Sequence, residues 1–458
     1  MKKMILGSLM LLFSGNTAWA GGLLTNTNQS ATFGRMMARG ASHDLDATYY
    51  NPAGLAFMAQ DGFFLSLGIQ SAQQERNIDA TFPLFDTPDH SKYFKGKASA
   101  PIIPSLDAIY KKDNWTLSAH FAVGGGGGKC SFDDGLPMFE SLVRAGMAQQ
   151  VGTPGSQLNK VATAMGIANP NDIYGLNSAM DGRQYIYQVQ GGVTYKFTDW
   201  LSGFAGVRMN YFTGGYKGYV TATMKPAIAQ AVGLTGDQAK LVDLQLDCDQ
   251  TGWGVNPILG LNVKYKNLTL AAKYEFKTRL NLENDTHKLE DGGTGALNQF
   301  KDGVNTPSDV PALLTAAVGY EFLPGLRATA EYHHFYDKQA GMADNKQQHL
   351  TRGTNEYLFG AEWDFAKKWT VSAGGQITDY GLSDRFQSDT SFSCDSYSIG
   401  FGGAYRFNDH LRVQASYFWT TYSDYTLKSD NYNGTTLAGT NVYSRTNKVF
   451  GVQLDYKF

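Results

Sequence analysis

From Phe63 to the last residue, apolar and polar side chains alternate with a period of two. Phe63, Leu65, Leu67 and Ile69 share one face, with Ser66, Gly68 and Gln70 on the other. Tyr185, Tyr187, Val189, Val193, Tyr195 and Phe197 oppose Gln188, Gln190, Thr194 and Lys196 in the same way. Leu411, Val413, Ala415, Tyr417 and Trp419 oppose Arg412, Gln414 and Ser416. At the end, Phe450, Val452, Leu454, Tyr456 and Phe458 oppose Gln453, Asp455 and Lys457. Successive side chains of a strand point to opposite faces, so the pattern predicts strands with one apolar and one polar surface. A soluble sandwich alternates too; the connections separate the two. Short polar turns occur at 111–114, 198–199, 266–267, 324–325, 366–368 and 408–410. Aromatic residues border them: Tyr110, Trp115, Phe197, Trp200, Tyr265, Phe322, Phe365, Trp369 and Phe407. Long polar connections lie between these turns. Short turns ringed by aromatics on one side and long loops on the other predict a transmembrane barrel.

Strands are expected near 62–74, 100–111, 114–124, 184–197, 200–214, 251–265, 267–280 and 311–322, and then near 326–337, 355–365, 369–380, 396–407, 411–426 and 445–458. The fold class is therefore all-β, a 14-stranded antiparallel transmembrane β-barrel over 61–458, with the even strand number of single-chain bacterial barrels. About 8 strands enclose a lumen filled by side chains, and 16 to 18 leave an aqueous channel. Fourteen need a filler. Residues 21–60 contain Gly34, Ala38, Gly40, Ala41 and Ser42 and are expected to form an N-terminal plug in the lumen. Irregular backbone is tolerated at membrane depth only when protein encloses it.

Two connections, 125–183 and 217–250, are expected to be helical outer loops. Met138, Phe139, Leu142 and Val143 recur at helical spacing, as do Leu158, Val161, Ala162 and Met165. In the second loop Pro226 suits a first helical turn, and Thr235 with Gln238 makes a capping box before Leu241, Val242 and Leu244. Such helices either pack against each other as a cap or leave an apolar groove; the two are compatible. Gly124 to Gly128 is a run of five glycines at the outer end of the third strand. It is either a flexible start to the loop or a place where the strand unpairs and opens the wall.

Composition agrees with interleaved faces. There are 52 Gly, 26 Tyr and 27 Phe, only 17% charged residues, and the mean hydropathy is −0.31. Met1 to Ala20 reads as a cleaved signal peptide: Lys2 and Lys3, an apolar core from Met4 to Phe13, and Ala18-Trp19-Ala20. That core is too short for a spanning helix, which needs about 20 residues. Removing the two lysines takes the formal charge from −2 to −4 (−2 − 2 = −4). Without a basic stripe, nucleic acid is not an expected partner. Cys130, Cys248 and Cys394 are too few for a disulfide framework and show no metal-ligand spacing; an oxidising compartment would allow one bridge, Cys130 to Cys248. No G-x-S-x-G and no H-E-x-x-H is present. His120 and His333, the latter in the His333-His334 pair, are expected to be polar lumen residues, and no enzyme, metal or cofactor is expected. A diffusive porin and a barrel hydrolase are the rival readings.

One stretch carries more. Asn28-Gln29-Ser30-Ala31, Gly34-Arg35, Asp46-Ala47 and Tyr50-Asn51-Pro52-Ala53-Gly54-Leu55 follow in order between the signal peptide and the first strand. The set resembles the plug of the FadL-type outer-membrane transporters of long-chain fatty acids and related hydrophobic molecules. That resemblance implies fourteen strands and a location in the outer membrane of a Gram-negative bacterium. It also implies capture by external loops, a pocket above the plug, and a third strand that bends inward and opens the wall laterally. The plug motif would then be Gly34, Arg35, Asp46, Asn51, Pro52 and Ala53, and the opening Gly124, Gly125 and Gly126. The substrate path would use Gly21, Gly22, Leu23, Phe139, Leu142, Leu158, Val161, Met165 and Leu241. Arg208, Lys273 and Arg327 point inward by alternation and either hold a carboxylate headgroup or pair with lumen acids such as Glu275 and Glu331. Expected partners are a long-chain fatty acid or other hydrophobic molecule, outer-membrane lipid, and the barrel assembly machinery through the C-terminal Phe458, with the chain a monomer.

Overall fold

The alternating segments become strands of a closed wall in the computed structural model, which describes Leu23 and residues 27–458. The expected signal peptide, with Gly21 and Gly22, lies outside the described residues. Two short helices, α1 (Ala31–Arg35) and α2 (Ala47–Tyr50), and a 3-10 turn (Pro52–Phe57) precede the wall. Its strands are β1 (Gly62–Thr81), β2 (Ser91–Lys112), β3 (Trp115–Phe132), β4 (Tyr174–Lys196), β5 (Leu201–Met224), β6 (Lys240–Tyr265) and β7 (Leu268–Glu275). Then come β8 (Leu313–Leu323), β9 (Leu326–Phe335), β10 (Asn355–Ala366), β11 (Trp369–Asp379), β12 (Ser396–Arg406), β13 (Leu411–Tyr422) and β14 (Gly439–Lys457). Each pairs antiparallel with its neighbours, and β1 pairs with both β2 and β14, from Phe64↔Lys457 to Thr81↔Thr440. Among the described residues these 14 strands, each at an expected position, close the barrel, and Asn281–Glu290, Asn305–Pro307 and Tyr425–Ser429 extend the same sheet beside β6 and β14.

The strand lengths differ from expectation on one side. β4, β5 and β6 run for 23, 24 and 26 residues, against 8 to 12 for β7 to β13. Crossing a bilayer takes only about 10 residues, so half of the wall stands well above it. The region 217–250 is therefore mostly strand, not a helical loop. Only α5 (Pro226–Ala231) and a 3-10 turn (Gly236–Ala239) are helical there, and Thr235 makes no side-chain capping bond. Leu241, Val242 and Leu244 belong to β6, where Val242 pairs with Ala222 and Leu244 with Val220. A short apolar run does not distinguish helix from strand; the partner strand decides. The other loop does fold into helices, α3 (Pro137–Gly152) and α4 (Gln157–Met165), between the ends of β3 and β4.

The outward face is apolar through the middle of the wall. Leu67, Ile69, Val189, Leu261, Phe359 and Val452 are all exposed, and such a continuous band is stable only against hydrocarbon. All nine aromatics that border the short turns are exposed at one rim. Phe458 joins them, with its ring 5.1 Å from that of Phe63. No helix among the described residues is long and apolar enough to cross a membrane.

Candidate functional site

The polar inward face of the wall is occupied by residues 27–57. The plug is bound by charge on one side and by hydrogen bonds on the other. Arg35 reaches Glu362 on β10, Ser372 on β11 (2.8 Å) and Gln414 on β13 (2.9 Å). Arg39 pairs with Asp46 inside the plug at 2.5 Å and lies 4.0 Å from Glu362, which also receives Arg327. Asp44 is held by Arg412 at 2.7 Å, and the Gly40 amide donates to Glu331 at 2.7 Å. Opposite, Gln190 donates to the Thr48 carbonyl, Thr194 to that of Pro52 and Ser202 to that of Ala53, all within 2.8 Å. Gly34 sits against β13 so closely that a Cβ would lie 2.6 Å from the Ser416 hydroxyl.

Asn51 clamps the plug to the wall well before β1 begins. Its carboxamide oxygen accepts from the Ala53 amide at 3.3 Å, and its Nδ2 donates to the Leu261 carbonyl at 3.0 Å. Pro52 then opens the 3-10 turn, its missing N–H costing nothing at that position. Asn51→Ala removes both bonds, and a typical intramolecular hydrogen bond contributes about 1 kcal/mol. The variant barrel is expected to assemble and to show earlier proteolysis within 27–57 as the temperature rises. A cleavage profile like that of the parent would count against the clamp.

One stretch of wall is not closed by its own ladder. β2 and β3 pair from Ser105↔Ala122 to Lys112↔Trp115 and again from Gly96↔Phe132 to Ser99↔Lys129, with a break between. On β2 the break contains Pro101 and Pro104, which have no N–H to give. On β3 it contains the glycine run, where pairing to β4 also shifts on both sides of Gly125. Gly126 (φ +91°) and Gly128 (φ +75°) hold backbone conformations that side chains avoid. A Cβ at these positions would lie 2.0 Å from the Gln184 carbonyl and 2.3 Å from that of Ser99. Plug residues stand behind the gap. Gln29 donates to the Gly124 carbonyl at 3.4 Å, and Asn28 donates to Gln70 at 2.7 Å. Phe33 stacks on Tyr50 at 5.6 Å within a cluster that takes in Ala72, Ala100 and Ile103. The two prolines were a readable signal: a strand interior rarely holds either.

Above the plug, the expected capture residues divide. Leu158, Val161 and Leu241 are buried with Val143, Met147, Val220 and Met224 in one core that joins α3 and α4 to the tall ends of β5 and β6. Leu142 is also fully buried, whereas Met165 is 40% exposed on the far side of α4. They form a cap, not a groove. Phe139 alone of the set lines an apolar cleft of about 80 Å³, with Met138, Met180, Tyr216, Leu246 and Phe300. Leu23 is half-buried. The loop between β11 and β12 folds inward beneath this cap and buries Phe386 and Phe392. Its Asp389 accepts from the Met138 amide at the start of α3 (2.7 Å), from Asn441 (2.8 Å) and from Tyr443 (2.9 Å). Next to it is a cavity of about 90 Å³ lined by Gln74, Arg76, Ala98, Cys130, Tyr216 and Ser391. Ligand pockets usually run to about 300–1,000 Å³, so this cavity is smaller than a typical ligand site.

The three inward cations anticipated for a headgroup are all matched by carboxylates. Arg208 and Lys273 share Glu275, with Lys273 at 2.5 Å, and both lie over the Tyr49 ring at 4.5 and 5.1 Å. Arg327 is taken by Glu362 and, at 2.9 Å, by Asp364. A different set is unmatched. Arg76 and Arg445 stand directly opposite each other in the β1–β14 ladder. Arg76 donates to the Phe392 carbonyl at 3.0 Å, and Lys346 donates to Ser388 Oγ at 3.1 Å and the Ser391 carbonyl at 3.0 Å. None of the three forms an ion pair among the described residues. Burial, and then the nearby Arg76, lowers the Lys346 ammonium from 10.5 to about 7. The fold thus favours the neutral amine, and the cost of charging it grows as pH falls from above 10 through 7. Lys346→Met is therefore expected to resist urea better than the parent, with a larger gain at pH 6 than at pH 10. An equal gain at both values would refute an uncompensated charge.

The cysteines do not bridge: Cys130, Cys248 and Cys394 are all free. Cys130 lies on β3 and Cys248 on β6, with β4 and β5 between them. Strands stand about 4.8 Å apart, which separates the two by about 14 Å, beyond the roughly 7 Å Cα limit of a disulfide. His120 bonds Asp107 at 2.7 Å, and His333 sits between Glu331 and Glu356 at 2.6 and 2.9 Å.

No protein-family model and no curated protein matches the chain. Solved structures do. A Pseudomonas aeruginosa FadL homologue superposes with a TM-score of 0.64 at 17% identity, covering 96% of this chain and 100% of that one. The P. putida toluene transporter TodX gives 0.56 at 16%, covering 91% and 95%. The Ralstonia pickettii toluene transporter TbuX gives 0.53 at 14%, covering 91% and 94%. At these identities the likeness is one of fold, and it runs the length of the barrel.

Proposed function

We propose that this chain is an outer-membrane channel for hydrophobic molecules that carry an acidic head, such as long-chain fatty acids. Substrate enters beneath the cap and leaves sideways through the wall between β2 and β3. The observation that carries this reading is the break in the β2–β3 ladder, which holds Pro101 and Pro104 on β2 and the glycine run on β3, with Gln29 of the plug bonded to Gly124. Unsatisfied backbone cannot face hydrocarbon, so such a gap is tolerated only if plug, water or substrate lines it. A general porin needs no such gap and would not fill its lumen with a plug tied by so many buried bonds. In this reading passage runs down a gradient. Phe458 at the aromatic rim is the contact through which the assembly machinery would recognise the chain, which works as a monomer. The reading requires no catalysis; His120 and His333 act as polar lumen residues.

Similar folds include proteins described as toluene transporters. For this chain the unmatched cations near the cavity favour an acid-headed substrate over a neutral arene. The test is uptake of radiolabelled oleate by cells whose own long-chain transporter is deleted, with swelling of sugar-loaded vesicles as the comparison. Oleate uptake without sugar permeation supports the channel. Sugar permeation without oleate uptake would replace it with a porin.

A further inference from the structure

We infer that the upper lumen receives a compact dianionic head, of the phosphate-monoester type on an alkyl chain, in preference to a monocarboxylate, because Arg76, Arg445 and Lys346 converge there without an opposing carboxylate. The inference rests on the channel reading above and specifies its substrate. Elsewhere in the lumen the cations are balanced: Arg35, Arg39, Arg208, Lys273, Arg327 and Arg412 each have a carboxylate within 4.0 Å. A fold that pairs six cations and leaves Arg76 and Arg445 together unpaired keeps those two at a cost. Arg76 and Arg445 face each other across one ladder, and like charges directly opposite are destabilising.

The partners these three now have are neutral acceptors and ring faces. Arg76 lies 4.9 Å over Phe392, Arg445 4.9 Å over Tyr422 and Lys346 4.8 Å over Phe386. Arg76 and Lys346 hold the adjacent carbonyls of Phe392 and Ser391. Both side chains thus direct N–H donors at neutral oxygens, which anionic oxygens can replace. The acid nearest the cavity, Asp389, is occupied by the Met138 amide, Asn441 and Tyr443. A monocarboxylate would neutralise one of the two facing arginines and leave the other buried. A phosphate monoester brings about −1.5 to −2 charge at pH 7 and three strong acceptor oxygens. It also suits the planar donor forks of two arginines, which bind phosphate bidentately. To reach them the head must displace the 388–392 turn, which is consistent with the small closed cavity.

The test uses the full chain in a non-ionic detergent and measures binding of dodecyl phosphate, dodecanoate and dodecanol at pH 7.5 by titration calorimetry. Dodecyl phosphate is expected to bind at least tenfold more tightly than dodecanoate. That preference should vanish in Arg76→Gln combined with Arg445→Gln, and shrink in Lys346→Met alone, in case the double variant fails to fold. Dodecanoate binding as tightly as dodecyl phosphate would overturn the dianion inference and leave the channel reading intact. So would a phosphate preference that survives in the variants. Failure of all three probes to bind would remove both.

Discussion

Glu362→Gln is expected to free the plug from the barrel wall while the wall itself still forms. Glu362 is 2% exposed and is the common acceptor for Arg35 and Arg327, with Arg39 4.0 Å away. The amide cannot balance these cations: Arg39 keeps Asp46 and the part-exposed Arg327 keeps Asp364, but Arg35 becomes a buried charge with no carboxylate among the described residues. Removing one member of a buried ion pair costs about 3–5 kcal/mol. That exceeds any single hydrogen bond between the plug and β4 to β6, at about 1 kcal/mol each. The β-ladder does not pass through Glu362's side chain, so the barrel should keep its different gel mobility before and after heating. The plug should become cleavable by added protease at room temperature, and cells should become sensitive to large hydrophilic antibiotics. Asp364→Asn is the control: Asp364 pairs with Arg327 on the exposed rim, where an ion pair contributes little. A protected plug in Glu362→Gln would mean that the hydrogen bonds to Thr48, Pro52 and Ala53 hold it alone.

The wall of this molecule was legible because its physics is local. A strand with one face in lipid and one in a polar lumen must alternate, and each alternating run became one strand. Height was not legible. Leu241, Val242 and Leu244 extend β6 because Ala222 and Val220 stand beside them, a fact held in the register and not in the run itself. The plug's ordered motif was visible, but the role of Arg35 was not, since its partner Glu362 lies on a strand far along the chain. The cations separate on the same ground. Arg208 and Lys273 could be placed inward by alternation, yet only the fold shows that Glu275 neutralises both. Arg76 and Arg445 meet only when the barrel closes, and Lys346 reaches them from a loop with no periodicity to read. A hint existed. The inward neighbours of Arg76 are Gln74 and Ile78, and those of Arg445 are Tyr443 and Asn447, so neither has an acid at the next inward position.

Gly124→Leu separates a lateral exit from a path along the barrel axis. Gly124 is the one glycine of the run that is buried, has no left-handed backbone and carries the carbonyl that Gln29 touches. The atoms nearest a Cβ there belong to the side-chain amide of Gln188, at 1.9 Å, and a side-chain amide can swing aside. Valine at Gly126 would be a poor test, because its φ of +91° and the Gln184 carbonyl at 2.0 Å would strain the strand and prevent assembly. Leucine at 124 instead places a branched side chain at the inner mouth of the gap, between the plug and β4. If substrate leaves there, uptake should fall roughly tenfold or more, which corresponds to about 1.4 kcal/mol on the limiting barrier. Binding measured on the purified protein should stay near that of the parent, since Gly124 does not line the upper cavity. Gly152→Leu, on an open surface with nothing within 4 Å, is the control for assembly and should transport normally. An axial path would pass the leucine without hindrance, because the lumen's width is set by the wall and the plug and not by one residue at its edge. Parental uptake in Gly124→Leu, with the protein correctly inserted, would therefore move the exit away from the β2–β3 gap.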